Sequence, residues 1–130
     1  MSSRSLADLR PAFRARAVAW LDQCIHAGLD VLVTCTYRSM AEQADLYARG
    51  RTAPGKKVTN AKPGQSAHNY GLALDFVPMI NGKPEWSAKD PAWGQAITLA
   101  ESQGMESLAH DPKFAELAHL QEPNWRDIVT

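Results

Sequence analysis

Leu72-Ala73-Leu74-Asp75-Phe76-Val77-Pro78-Met79-Ile80-Asn81-Gly82 is an apolar run closed by a turn dipeptide. The run has the length and the alternation of a β-strand: Ala73 and Asp75 fall on one face, Leu72, Leu74 and Phe76 on the other. Asn-Gly tolerates the positive φ angles of a two-residue hairpin turn, so the chain is expected to double back on itself here. That expectation argues against a purely parallel sheet. Upstream, residues 31–37 are β-branched and apolar and read as a second, buried strand.

Helical patterns lie on either side. Leu6, Leu9, Phe13, Ala17, Trp20, Leu21, Cys24 and Ile25 recur at helical spacing. Ser5 is the candidate cap, Gly28 the stop, and Pro11 suits a first helical turn. Ser39 and Glu42 form a capping-box pattern for a second helix over residues 40–49. Asp90 and Pro91 open a third, which runs to about Gln103 and ends at Gly104. Residues 50–65 are rich in Gly, Pro, Lys and Thr and read as a loop. Short segments at residues 105–108 and 117–121 are further candidate strands, and the tail from Pro123 has no clear pattern. The expected architecture is α+β: helices packed on a small, largely antiparallel sheet. At 130 residues the chain has the size of one domain with its own core, and no separate wall-binding or other module is visible.

Charge is balanced, with 14 basic and 14 acidic residues, which gives no basis for binding nucleic acid or an anionic membrane. No apolar run is long enough to span a bilayer. The start, Met1-Ser2-Ser3-Arg4-Ser5, is polar and unlike a secretory signal, so synthesis and residence in the cytoplasm or export by another route is expected. Cys24 and Cys35 read as two buried thiols that act as small apolar residues rather than as a disulfide.

The chemistry centres on Asp75. A carboxylate between Leu74 and Phe76 is costly to bury unless it is paired, hydrogen-bonded or metal-bound. His68, seven residues earlier, lies where a loop enters the strand, and Ala73 leaves space beside the carboxylate. His119 sits between apolar neighbours in a third segment, with Glu116 three residues before it. An imidazole, a carboxylate and a second imidazole form a donor set for zinc, with a position left for water. A carboxylate beside the set can act as general base. Glu116 and His119 would share a face on a helix; on a regular strand they would not, so a strand here requires Glu116 in a bend ahead of it. By spacing alone, Glu106 and His110 remain rival candidates, and His26 needs no role beyond its place near a helix end.

Ser66-x-His68-x-x-Gly71-x-Ala73-x-Asp75 followed by Glu116-x-x-His119 resembles the signature of the zinc peptidases that cleave bacterial cell-wall peptides. This family includes D-alanyl-D-alanine carboxypeptidases and the L-alanyl-D-glutamate endopeptidases of phage endolysins, and its fold is shared with the Hedgehog signalling domain. Thr36-Tyr37-Arg38-Ser39, Glu42-Gln43, Leu46-Tyr47 and Gly50-Arg51-Thr52 are similar to the endolysin subgroup. The resemblance implies one zinc ion held by His68, Asp75 and His119, with Glu116 as the base. It implies that Arg38 binds substrate or the developing oxyanion, and that Ser66 orients the site through a hydrogen bond.

The implied activity is hydrolysis of an amide bond in peptidoglycan stem peptides, most simply as an L-alanyl-D-glutamate endopeptidase. A D-alanyl-D-alanine carboxypeptidase or a non-catalytic zinc domain are the alternatives. The resemblance further implies a monomer with a stem peptide as its only partner, acting on the wall after holin-mediated release. The chain also departs from the endolysin pattern. Ser107-Leu108-Ala109-His110-Asp111 stands where relatives carry a Trp-Gly-Gly-Asp-Trp-like stretch, and Ala118 stands where proline commonly precedes the last ligand. Contacts with substrate are expected to differ there, with His110 expected to be exposed.

Overall fold

The computed structural model describes residues 2–109 and 116–130. The elements run α1 (Pro11–His26), β1 (Val31–Cys35), α2 (Met40–Ala48), β2 (Ala73–Ile80), β3 (Lys83–Pro84), α3 (Pro91–Ser102), β4 (Glu106–Leu108), β5 (Glu116–Gln121) and α4 (Trp125–Val129). Single 3-10 turns, Leu6–Asp8 and Ala67–Tyr70, precede α1 and β2. The sheet order is β1-β2-β5-β4, with β3 paired to β2, and every pairing is antiparallel. The protein is α+β, as the alternating strands and periodic helices predict.

Local chemistry accounts for the boundaries. Ser5 caps the short turn at Leu6–Asp8 rather than a long helix, and the regular helix begins at Pro11, whose missing N–H costs nothing in a first turn. Gly28 takes φ +76° just beyond α1, the left-handed conformation that glycine adopts without a Cβ penalty. Ser39 accepts a hydrogen bond from the Glu42 N–H, and Asp90 accepts one from the Ala92 N–H. Asn81 and Gly82 both have positive φ, as a turn between β2 and β3 requires. The segments expected as short strands are β4 and β5, while the tail forms the short helix α4.

The two faces of the sheet have different work. Leu74, Phe76 and Leu120 are fully buried on the side covered by α1 and α3. Phe76 lies between Trp20 of α1 and Trp93 of α3, at 5.1 and 5.2 Å between ring centroids. The Trp20 indole N–H donates to the Ala96 carbonyl, which satisfies a polar group in the middle of this layer. The opposite face carries Cys35, Ala73, Asp75, His119 and Gln121, and it is this face that holds the polar cluster.

Gly71 joins the cluster to the core. It ends the 3-10 turn that carries His68 with φ +68°, and a Cβ there would lie 3.1 Å from the Asp8 carbonyl and 3.2 Å from the Arg10 nitrogen. A Gly71→Ala protein is therefore expected to lose about 1–3 kcal/mol of stability from the left-handed backbone and the crowding together. Urea unfolding measures this; an unchanged midpoint would contradict it.

Candidate metal centre

Strand register brings the cluster together. Asp75 on β2 faces Cys35 on β1 on one side and His119 on β5 on the other. Directly opposed residues on adjacent strands project from the same face, so three side chains stand in one row. His68 enters from the 3-10 turn in front of β2. Its Nε2 lies 3.0 Å from Asp75 Oδ1, and His119 Nδ1 lies 3.3 Å from the same oxygen. The two imidazoles meet edge to face at 5.0 Å. Both histidines are buried, while the Asp75 side chain keeps 26% of its exposure and opens the cluster to solvent.

Each ring is held from behind. His68 Nδ1 lies 2.7 Å from the Thr36 carbonyl. A carbonyl only accepts, so Nδ1 carries a hydrogen and Nε2 is the nitrogen presented to Asp75. His119 Nε2 lies 2.8 Å from Gln121 Oε1, which leaves Nδ1 facing the centre. Histidines in metal sites are oriented by outward hydrogen bonds of this kind.

Glu116 sits within reach, with Oε2 4.0 Å from His119 Nδ1 and a side chain 59% exposed. It does not lie in a bend ahead of the strand, as its spacing from His119 suggests; it is the first residue of β5. The strand is irregular instead. Ser107 faces Leu120, yet the next residue, Leu108, already faces Glu116, so the stretch between Glu116 and Leu120 bulges out of register with β4. Bulges re-aim side chains beside functional sites, and this one brings an i, i+3 pair together without a helix.

Burial alone would favour the neutral forms of both buried acid–base groups, but their mutual contacts outweigh it. The His68 imidazole is raised to about 10, because the hydrogen bond and charge of Asp75 overcome its desolvation. The Asp75 carboxyl is held well below the usual carboxylate range by hydrogen bonds from His119 and His68, against the push of burial.

Arg38, Ser66 and Cys35 complete the surroundings. Arg38 Nη1 donates to Gln43 Oε1 at 3.1 Å and its Nε to Ser2 Oγ at 3.2 Å. Gln43 is fully buried and donates to the Ala61 carbonyl, while Asn69 Nδ2 donates to the Arg38 carbonyl. Arg38 is thus anchored by α2, by the loop after it and by the turn that carries His68. Ser66 accepts from the His68 N–H at 3.2 Å, so it fixes the backbone of His68 rather than its ring. Cys35 is more than an apolar filler. Its Sγ lies 3.7 Å from His68 Nδ1 and accepts from Arg38 Nη2 at 3.5 Å, and its thiol is lowered because these partners outweigh the effect of burial.

Cys35, His68 and Asp75 offer three donor atoms within 4.8 Å of one another. Cys35, however, lies on the Nδ1 side of His68, the side occupied by the Thr36 carbonyl, whereas His119 shares the Nε2 side with Asp75. With the rings as they stand, His68 Nε2 and His119 Nδ1 are the two nitrogens that face Asp75 Oδ1. Glu106 reaches Gln121 instead of the histidines. His110 and Asp111 lie outside the described residues. Cys24 is buried in α1, its thiol pushed up to about 11 by burial, and both cysteines are free thiols. His26 bonds the Asp22 carbonyl near the end of α1. The partnership of Gln43, Asn69 and Gln121 with the site is absent from any short motif; a buried amide on an otherwise apolar face is its one sequence trace.

Residues 7–117 match the family VanY: D-alanyl-D-alanine carboxypeptidase. The chain belongs to this family. It is 34% identical over 122 residues to the peptidoglycan L-alanyl-D-glutamate endopeptidase CwlK of Bacillus subtilis (strain 168), covering 88% of this chain and 73% of that protein. It is 27% identical over 113 residues to the L-alanyl-D-glutamate peptidase of Escherichia phage T5, covering 87% and 74% respectively. The crystal structure of the Serratia marcescens L-Ala D-Glu endopeptidase ChiX superposes with a TM-score of 0.72 at 19% identity, covering 100% of this chain and 93% of that one. Membership of this family makes the chain a peptidase, and among the described residues no helix is long and apolar enough to cross a membrane.

The charge pair gives the metal-free protein a pH signature. His68, raised above its ordinary 6.5, contributes stability that is complete below about pH 6.5 and lost as pH rises toward 10. Asp75, lowered from 3.8, contributes stability that is present above that value and lost as pH falls below it. With a chelator present, chemical unfolding should show the wild type losing stability between mildly acidic and alkaline pH, and Asp75→Asn losing much less. Parallel pH curves for the two proteins would contradict the pairing.

Proposed function

We propose that this chain is a zinc-dependent endopeptidase that cleaves the L-alanyl-D-glutamate bond of peptidoglycan stem peptides, acting on the cell wall. The observation that carries the reading is the convergence of His68 Nε2 and His119 Nδ1 on Asp75, with the Glu116 carboxylate 4.0 Å from His119. Two imidazole nitrogens and one carboxylate, each oriented by an outer hydrogen bond or by strand register, are a donor set suited to zinc in a catalytic centre. Once bound by His68, Asp75 and His119, zinc would polarise the scissile carbonyl and acidify a water molecule.

The remaining steps fall to this chain's side chains. Glu116 takes the proton from the attacking water and returns it to the leaving amine nitrogen. Its exposure keeps it open to water and substrate, while the bulge in β5 keeps it beside the ligands. Arg38, anchored through Gln43 and Ser2, presents a guanidinium suited to a substrate carboxylate or to the tetrahedral oxyanion. Ser66 and Gly71 hold the turn that sets His68 at the mouth of β2. The endopeptidase specificity is supported by the activities named for CwlK and the phage T5 enzyme. The family's own description favours a second reading, a D-alanyl-D-alanine carboxypeptidase built on the same centre. Retention of Glu116 beside His119 weighs against a zinc domain without catalysis.

Muropeptides of defined length, digested and weighed by mass spectrometry, separate the two readings. Products split between L-alanine and D-glutamate are expected; release of terminal D-alanine alone would replace the first reading with the second. Glu116→Gln should lower kcat by about 10²–10⁴-fold while zinc content stays at that of the wild type. Full activity in that variant would remove Glu116 from the mechanism.

A further inference from the structure

Two hydrogen bonds separate the His119 ring from a carboxylate at the edge of the sheet. Glu106 on β4 is the register partner of Gln121 on β5, and Gln121 is in turn two residues beyond His119. Alternation and register therefore put His119, Gln121 and Glu106 on one face. The contacts follow that placement: His119 Nε2 to Gln121 Oε1 at 2.8 Å, and Gln121 Nε2 to Glu106 Oε1 at 2.6 Å. Gln121 is buried, and Ala73, its partner on β2, is too small to crowd it.

The polarity of this chain runs in one direction only. An ionised carboxylate has no hydrogen to give, so Glu106 must accept, and the Gln121 amide must turn its NH2 toward it. That leaves Gln121 Oε1 facing His119, and an amide oxygen also only accepts. His119 must then keep a hydrogen on Nε2, so a cation that takes the place of the Nδ1 hydrogen shared with Asp75 meets the Nδ1 lone pair. Without Glu106 the amide is free to turn over. With its NH2 toward His119, the favoured tautomer would be the opposite one, with hydrogen on the nitrogen that faces Asp75.

We propose that Glu106 and Gln121 are positioning residues that lock His119 in the Nε2–H tautomer and so set the affinity of the centre for its metal. The proposal rests on the zinc reading above and adds to it two residues that touch neither metal nor substrate. The short 2.6 Å contact is charge-assisted, and contacts of that class are about twice as strong as neutral ones, which suits an edge residue that must hold an amide buried beside it.

Zinc affinity, measured by competition with a chromogenic chelator, tests it on the full chain. Gln121→Leu and Glu106→Ala should each weaken zinc binding by about tenfold to a hundredfold. The exchange variant Glu106→Gln with Gln121→Glu provides the control for folding. There the new carboxylate at position 121 accepts both from His119 Nε2–H and from the new amide at position 106, so affinity should return close to that of the wild type. Nitrogen-15 NMR of the zinc-loaded wild type should show His119 protonated at Nε2 and metal-bound at Nδ1. Single variants that bind zinc as tightly as the wild type, an exchange variant no better than the singles, or coordination through Nε2 would each overturn the proposal. A wild type that binds no zinc at all would overturn the underlying metal reading with it.

Discussion

Asp75 is the constraint around which this site is organised. A carboxylate in the middle strand of a small sheet, with Leu74 and Phe76 fully buried on either side of it, is tolerated only if its charge is answered at close range. The answer comes from two imidazoles on different segments, His68 from the turn before β2 and His119 from β5. Each must arrive with the correct nitrogen forward. Much of the surrounding architecture serves that demand: the left-handed Gly71 that ends the turn, the antiparallel register that sets Asp75 opposite His119, and the carbonyl of Thr36 behind His68.

The same arrangement suits a proton in the metal-free protein and a divalent cation in the loaded one. A proton between Asp75 and His68 Nε2, or a divalent cation in its place, would each set positive charge beside the carboxylate without changing the outer hydrogen bonds of the rings. This is why the strongly paired His68–Asp75 couple is an argument for a metal centre, not simply for an internal salt bridge. Glu116 stands apart from this pairing. It is exposed, reaches the cluster only at 4.0 Å from His119 Nδ1, and owes its position to an irregular strand; an exposed carboxylate at that distance suits proton transfer.

Much of the fold was readable from periodicity and from punctuation by glycine, proline and asparagine. The Asn81–Gly82 turn, the Pro11 and Asp90 starts and the β-branched run of β1 all act within a few residues, and local patterns report local causes. Within the site, His68, Asp75, Glu116 and His119 stand out because charged and polar groups in apolar surroundings require an explanation. What a one-dimensional reading misses is register. Cys35 is placed beside the cluster by its pairing with Asp75, and Gln121 by its pairing with Glu106; neither spacing marks these residues out. The bulge in β5 likewise depends on the register in which β4 and β5 pair, so a bend ahead of the strand is the simpler expectation from spacing.

The central claim is that this protein holds zinc through two imidazoles and a carboxylate, with the Cys35 thiol left outside. X-ray absorption at the zinc edge of the loaded protein tests it most directly, because zinc–sulfur bonds are about 2.3 Å and zinc–nitrogen or zinc–oxygen bonds about 2.0–2.1 Å. A first shell fitted by nitrogen and oxygen alone, with an imidazole signature from two rings, is the predicted result. A shell containing one sulfur and a single imidazole would contradict the account and assign the centre to Cys35, His68 and Asp75 instead.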